Sequence, residues 1–305
     1  MRIGIHVTGE SVLVGVDVGA TTTHVRSCRD DGAVVHDEVV ATVDWRGASA
    51  PVKAGRLAQF AARAVGGGTL VALGVGAHGC DTEQQCRDLA DAVRAVLVTA
   101  PCVVVNDARL VGPAAGRDTA IGVIAGTGSI AVGVLPDGGC VYAGGWGWLL
   151  GDEGGAAGIV RESVRALLRA EESDRPDPVL AGCLAEAAGV ASVRRLPLRM
   201  MTTPAQEWAR YAPAVFRAAQ QGSPLAVRMI TEAGSALADL VEAVIRKGAT
   251  ADAVVAAGGT ITGAPMLADA FRAAVLRRRD IQTLVLGEPP VVGAVALARR
   301  ALAGG

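Results

Sequence analysis

One local design occurs twice in this chain. Residues 14–25 read V-G-V-D-V-G-A-T-T-T-H-V, and residues 121–132 read I-G-V-I-A-G-T-G-S-I-A-V. Each joins two apolar runs through a turn of Gly, Thr and Ser, and each soon meets a polar turn, Asp31-Gly32 or Asp137-Gly138. The pattern predicts a β-hairpin whose tip other groups can approach closely. A Gly-rich tip leaves backbone N–H groups unobstructed and its hydroxyls add donors, which is how a chain cradles phosphate oxygens. One such loop is weak evidence; two facing loops would hold a triphosphate between two lobes.

The length of 305 residues suits two domains of about 150. At 51% hydrophobic residues both can build large cores, and a net charge of −1 gives no reason to expect nucleic acid or an anionic membrane as partner. The six Cys (28, 80, 86, 102, 140 and 183) are scattered without a C-x-x-C pair. They read as buried thiols in a reducing cytoplasm, not as a disulfide frame or a zinc site. The N-terminus reads as a strand, with no basic segment leading into a signal-peptide core. The longest apolar stretch, 120–135, is broken by glycines and follows strand logic, so no membrane span is expected.

Apolar periodicity and turn residues give an α/β order. Strands are expected at 2–7, 12–18, 23–28, 33–41, 70–76 and 102–105, with helices at 52–65 and 82–98. The order then restarts, with strands at 119–125, 129–135 and 139–143 and a helix at 154–171. Helices follow at 178–188, 204–220 and 223–247, then strand 253–257, helix 264–278, strand 282–285 and helix 290–303. The restart near Pro113, Gly116, Arg117 and Asp118 marks the boundary. This divides the chain into an N-terminal lobe, 1–113, and a C-terminal lobe, 114–289. The apolar helix 290–305 is expected to pack back on the first lobe.

Several side chains stand where chemistry would need them. Asp17 ends an apolar strand just before G-A-T-T-T. A carboxylate there suits a hydrated Mg²⁺ against phosphates, since Mg²⁺ keeps most of its waters; a turn Asp bonding local backbone is the simpler use. Gly19 and the first one or two threonines, Thr21 and Thr22, would reach the phosphates. Asp107 follows the run Cys102-Val103-Val104-Val105 and Asn106. An Asp at the C-terminal end of a strand in an α/β domain faces the ligand crevice, as a general base for a substrate hydroxyl. Capping a helix that begins near Ala108 is the alternative.

Residues 144–158, G-G-W-G-W-L-L-G-D-E-G-G-A-A-G, fit neither a packed strand nor an ordinary turn. Trp146 and Trp148 would wall a polar pocket, and Asp152 and Glu153 would accept from sugar hydroxyls. Both acids also precede helix 154–171, whose N-terminus a carboxylate caps. Gly258 and Gly259 follow strand 253–257 and permit the flat approach of an adenine ring or an α-phosphate; a plain tight turn is as common. His78 is more often a packed or surface residue than a ligand, and Asp81 is expected to cap helix 82–98.

The set V-D-V-G-A-T-T-T, N-D-A, A-G-T-G-S, G-G-W-G-W-L-L-G-D-E-G and A-A-G-G resembles the N-acetylglucosamine kinase branch of the BadF/BadG/BcrA/BcrD ATPase family. The resemblance covers almost the whole chain in order, and G-W-G-W-L-L-G-D-E-G-G-A is its most specific part. It implies an α/β fold of two ribonuclease-H-like lobes, of the actin and sugar-kinase type, around an ATP cleft. By the same resemblance Asp17 serves Mg²⁺ and phosphate, Asp107 is the base, and Thr127 lies by the γ-phosphate, within the loop of Gly126, Gly128 and Ser129. Gly145, Asp152 and Ala156 contact the sugar, and Gly258 and Gly259 lie near the adenosine; Asn106, beside the base, is expected to contact the substrate as well.

This chain departs from that resemblance twice. Where eukaryotic members carry an Asn that grips the sugar, the region 42–47 has Asp44 beside Trp45; where they carry a small hydroxyl residue, this chain has His78. An acid in the pocket would pair with an ammonium group, so glucosamine joins N-acetylglucosamine as an expected substrate. The Cys/His zinc cluster of the repressor/ORF/kinase sugar kinases is missing, as is the cysteine setting of the iron–sulfur dehydratase activators. The expectation is thus a cytoplasmic kinase that uses ATP and Mg²⁺ to phosphorylate an amino sugar's primary hydroxyl. The alternative is a nucleotide-gated regulator, which needs the phosphate loops but neither a base nor a Trp-walled acidic pocket. The sequence leaves the oligomeric state open, a homodimer included.

Overall fold

The computed structural model describes residues 9–97 and 100–303. In chain order the first elements are β1 (Ser11–Val18), β2 (Thr22–Arg29), β3 (Val34–Ala41), α1 (Ala50–Ala64), β4 (Thr69–Ala77), α2 (Glu83–Val96), β5 (Cys102–Val105) and the short α3 (Val111–Ala114). Next come β6 (Ile121–Ala125), β7 (Ser129–Val134), β8 (Cys140–Gly144), α4 (Ala156–Glu172), α5 (Pro178–Ala188), α6 (Leu196–Met201), α7 (Ala205–Ala209), α8 (Ala212–Gln220) and α9 (Pro224–Arg246). The chain ends with β9 (Ala253–Ala257), α10 (Gly259–Gly263), α11 (Pro265–Arg278), β10 (Gln282–Val285) and α12 (Val291–Ala303). The strand expected at 2–7 lies outside the described residues.

The chain divides into two compact units, Met1–Gly122 with Leu286–Gly305, and Val123–Val285. The sequence break at 113–118 is therefore a turn inside the first unit. Its Arg117 N–H donates back to the Gly112 carbonyl at 2.9 Å, holding that turn against α3.

The sheet of the first unit has the order β3-β2-β1-β4-β5. β1 pairs antiparallel with β2 and parallel with β4, and β4 pairs parallel with β5. The central strand is covered on both faces, which explains its unbroken apolar run. Val12, Val14, Val16 and Val18 join a buried cluster with Leu57 and Ala61 of α1, while Leu13 packs with Val295 and Ala298 of α12. Edge strand β3 alternates exposed and half-buried residues instead. Gly74 admits α12 to the sheet: a Cβ there would lie 2.0 Å from the Ala294 carbonyl oxygen.

The second unit repeats the plan, with sheet order β10-β9-β6-β7-β8. β7 and β8 are antiparallel, β9 and β10 parallel. Here the expected helix 204–220 is two helices. Pro213 occupies the first turn of α8, where a missing N–H costs nothing; inside a longer helix its ring would clash with the carbonyl four residues back. The two short helical turns at Val193–Arg195 and Leu196–Met201 were not expected from the sequence.

Candidate functional site

In the first unit, three parallel strands end side by side. Asp17 is the penultimate residue of β1, His78 follows β4, and Asp107 opens a 3-10 turn, Asp107–Leu110, after β5. Burial pushes the Asp17 carboxyl up to about 8, and the negative charge of Asp107 adds to the effect. Burial also raises Asp107; His78 and the Ala108 amide oppose that rise, and Asp81 adds to it. His78 Nδ1 stands 3.8 Å from Asp107 Oδ2.

The neighbours of Asp107 are fixed by Asn106. Its buried amide donates to the Cys80 carbonyl and to Asp81 Oδ1, each at 3.2 Å, and its oxygen accepts from the Ala108 N–H at 3.0 Å. Asn106, not Asp107, caps the turn. Its side chain is committed to the protein, so the expected substrate contact is replaced by a pin between β5 and the turn after β4. Asp81 likewise does not cap α2: Thr82 does, in a capping box with Gln85. Its hydroxyl reaches the third residue of the helix, the geometry that this motif requires.

The first glycine-rich tip joins β1 to β2 as expected. Gly19 N–H donates to the Thr22 carbonyl, and Thr21 and Thr22 are exposed. Thr23 instead bonds Thr42 Oγ1 at 2.8 Å. Asp44 is exposed, with φ at +48°, a conformation that Asp tolerates better than most residues. The buried acid expected in a sugar pocket is therefore absent at this position. Its neighbour Trp45 is buried, and the indole N–H donates to the His78 carbonyl at 3.0 Å. The residue that reaches His78 from this loop is Arg46, with Nη2 at 3.2 Å from Nε2. The sequence singled out the loop but not Arg46, because an Arg in an exposed turn carries no pattern.

In the second unit the loop Gly126–Ser129 is tied to its surroundings through its carbonyls. The first-turn amides of α4 donate into it, Ala156 to Gly126 and Ala157 to Thr127, at 2.8 and 3.1 Å. Thr260 Oγ1 donates to the same Gly126 carbonyl at 2.7 Å. Gly126 N–H is used by the Gly128 carbonyl, and Ser129 N–H by Asp152 Oδ1 at 3.2 Å. The Thr127 and Gly128 N–H groups make no hydrogen bond among the described residues. They are the tip's open donors. Ser129 Oγ is spent on the Glu153 carbonyl.

The capping role expected of the acids in the 144–158 segment is not observed. Neither caps α4, whose N-cap is Gly155 without a side-chain bond; the loop carbonyls already satisfy those amides. Asp152, at φ +63°, holds its carboxylate against the loop. A Cβ at Gly128 would meet that carboxylate at 2.6 Å, so any side chain there must displace it. Glu153 is exposed and pairs with Arg161 at 3.2 Å. Arg161 also donates to the carbonyls of Trp148 and Gly151, holding the segment from beneath. Gly145 N–H donates to the Ser129 carbonyl, and Ala156 is buried at the start of α4. Trp146 is 75% exposed, whereas Trp148 rests edge-on against Trp208 with ring centroids 4.7 Å apart. Trp208, in α7, belongs to no motif and could not be found by pattern. Gly258 and Gly259 form the turn into α10, Gly258 at φ +105°.

Among the described residues no group of three or more His, Cys, Asp or Glu could hold a metal, and no helix is long and apolar enough to cross a membrane. All six cysteines are free thiols.

Comparison with known proteins adds the following. The model of the BadF/BadG/BcrA/BcrD ATPase family matches residues 14–298. An N-acetyl-D-glucosamine kinase of Dictyostelium discoideum is 31% identical over 135 residues, 43% of this chain and 42% of that protein, so the chain spans less than half of that relative's length. An N-acetylmuramic acid/N-acetylglucosamine kinase of Clostridium acetobutylicum is 28% identical over 236 residues, 75% of this chain and 77% of its own. Two solved structures share the fold. One, described as a candidate N-acetylglucosamine kinase of Chromobacterium violaceum, is 23% identical with a TM-score of 0.66, over 95% of this chain and 99% of that one. The other, a ROK family glucokinase of Streptomyces griseus, is 20% identical with a TM-score of 0.59, over the same shares of the two chains.

Proposed function

Since the chain belongs to the BadF/BadG/BcrA/BcrD ATPase family, we propose that it transfers the γ-phosphoryl group of ATP to the primary hydroxyl of an amino sugar of the N-acetylglucosamine class. The observation that carries this reading is the meeting of Asp17, Asp107 and His78 at the ends of three adjacent parallel strands. A plain turn or cap needs no second carboxylate, and burying two together costs free energy that a function must justify.

Asp107 accepts the proton of the sugar hydroxyl as that oxygen attacks phosphorus. Its raised proton affinity makes it a better base than an exposed carboxylate. His78 limits the rise and keeps the ionised form accessible. Asp17 is suited to hold a hydrated cation. Burial and the Asp107 charge push its carboxyl up, an effect that a bound cation would oppose, and Mg²⁺ binds through few carboxylates while keeping waters. A Mg²⁺ ion bound there supplies positive charge against the phosphate oxygens. The open Thr127 and Gly128 amides are donors of the kind that phosphate oxygens accept from. Positioning and charge stabilisation provide most of the acceleration in such transfers.

The relatives' names support the amino-sugar class, and the choice between glucosamine and an N-acyl sugar belongs to the same proposal. A panel of amino sugars assayed for ADP release tests it. Sugar-dependent release well above the sugar-free background is expected; ADP release that ignores every sugar would favour the nucleotide-gated regulator.

A further inference from the structure

The transfer just described leaves one basic corner of the first unit unused. Trp45, anchored on the His78 carbonyl, fixes the turn between β3 and α1. The next residue, Arg46, thereby reaches the His78 ring at 3.2 Å. A guanidinium can only donate, so Nε2 accepts and the ring proton sits on Nδ1, facing Asp107. The Arg46 guanidinium thus stands one imidazole away from the base. Two further cations border the same turn: Lys53 Nζ lies over the Trp45 ring, 5.2 Å from its centroid, and Arg56 Nη1 donates to the Val43 carbonyl at 2.5 Å. Among the described residues none of the three pairs with a carboxylate. The one acid of the turn, Asp44, is exposed.

We propose that this corner recognises a carboxylate on the substrate, and that Arg46 is a specificity-determining residue for amino sugars carrying an acidic substituent. The inference rests on the sugar-kinase reading and narrows its substrate class. Arg46, Lys53 and Arg56 thus surround one turn with no carboxylate partner among the described residues. An ammonium would approach these three cations with only the exposed Asp44 to offset them. A neutral sugar leaves the guanidinium to water, whereas a carboxylate accepts two parallel N–H bonds from its fork. One guanidinium nitrogen is engaged by His78, and that bond orients the fork.

The same guanidinium could serve an anionic oxygen of ATP, and the experiment separates the two. ADP release is measured with N-acetylmuramic acid, whose ring bears a lactyl carboxylate, and with N-acetylglucosamine. Wild type, Arg46→Gln and Arg46→Lys are compared, with KM for ATP determined in each. Wild type is expected to use the acidic sugar at least as well as the neutral one. Arg46→Gln should lower the acidic-to-neutral ratio of kcat/KM by roughly ten- to a hundredfold, the worth of a charge-assisted hydrogen bond, chiefly through KM for the acidic sugar. Arg46→Lys should restore part of it. Equal losses on both sugars, or a raised KM for ATP at an unchanged ratio, would assign Arg46 to phosphate and overturn the inference. A wild type active on the neutral sugar alone also overturns it but leaves the kinase reading standing. A wild type active on neither overturns both. Arg46 is exposed, and equal melting temperatures of the three proteins verify that folding is unaffected.

Discussion

His78 Nδ1 faces Asp107 Oδ2 across 3.8 Å, and the backbone of His78 is held at both ends. Its N–H donates to the Val18 carbonyl at the end of β1, and its own carbonyl accepts from Trp45. The imidazole is thus placed by the strand that carries Asp17. The base of the proposed reaction and the candidate cation ligand share one rigid support.

Asp107→Asn keeps the shape of the side chain and removes the proton acceptor. Turnover should fall by roughly 10²- to 10⁴-fold, with protection by Mg-ATP against thermal unfolding preserved. A variant keeping more than a tenth of wild-type turnover would exclude Asp107 as the base.

Asp17 makes stability depend on pH in a defined direction. Its folded pKa, about 8, lies above the unfolded value of 3.8. Between those values the native state binds the extra proton, so stability falls as pH rises through the window and levels off above pH 8. The raised Asp107 adds the same sign. Without metal, chemical denaturation should show wild type losing on the order of a few kcal/mol between pH 5 and pH 8, and Asp17→Asn losing much less. Added Mg²⁺ should stabilise wild type more at pH 8 than at pH 5. Parallel pH profiles for the two proteins would show that Asp17 is not held protonated by the fold.

An exposed carboxylate discriminates weakly, because solvent screens it to within about 1 kcal/mol. Asp44→Asn should therefore change the ratio of kcat/KM for glucosamine over N-acetylglucosamine by less than about fivefold. A tenfold or larger fall would return Asp44 to the sugar pocket.

Gly128→Ala would drive a methyl group into the Asp152 carboxylate. The carboxylate must give way and its bond to the Ser129 amide is lost, at a cost of about 1–3 kcal/mol, which loosens the loop that holds the Thr127 amide. The melting temperature should drop and KM for ATP rise more than KM for the sugar. An unchanged KM for ATP would separate this loop from the nucleotide.

Much of the fold was legible because its signals are local. The β1–β2 hairpin shows in an apolar run, a Gly-Thr tip and a second run, and β4 and β5 are short Val-rich segments before polar turns. What stayed hidden depends on partners distant in sequence. Nothing near Asp152 announces that it reaches the Ser129 amide, or that α4 is capped by the Gly126 and Thr127 carbonyls. Asp81 and Thr82 are both good caps, and only the Gln85 side chain decides between them. In the candidate site, residue types at strand ends marked Asp17 and Asp107. Arg46 needed the Trp45 anchor to become visible.

The helix α12 covers β1 and β4 yet is made after every strand of both sheets. The second unit, Val123–Val285, is made entirely before it, so that unit can mature while the first still lacks one wall. Until α12 arrives, Leu13 and Ala72 have no apolar cover on that face, and the strand bearing Asp17 is open to water. Assembly of the carboxylate pair therefore waits for the synthesis of α12. A nascent chain stalled short of Val291 would carry the sheet of the first unit with one face uncovered.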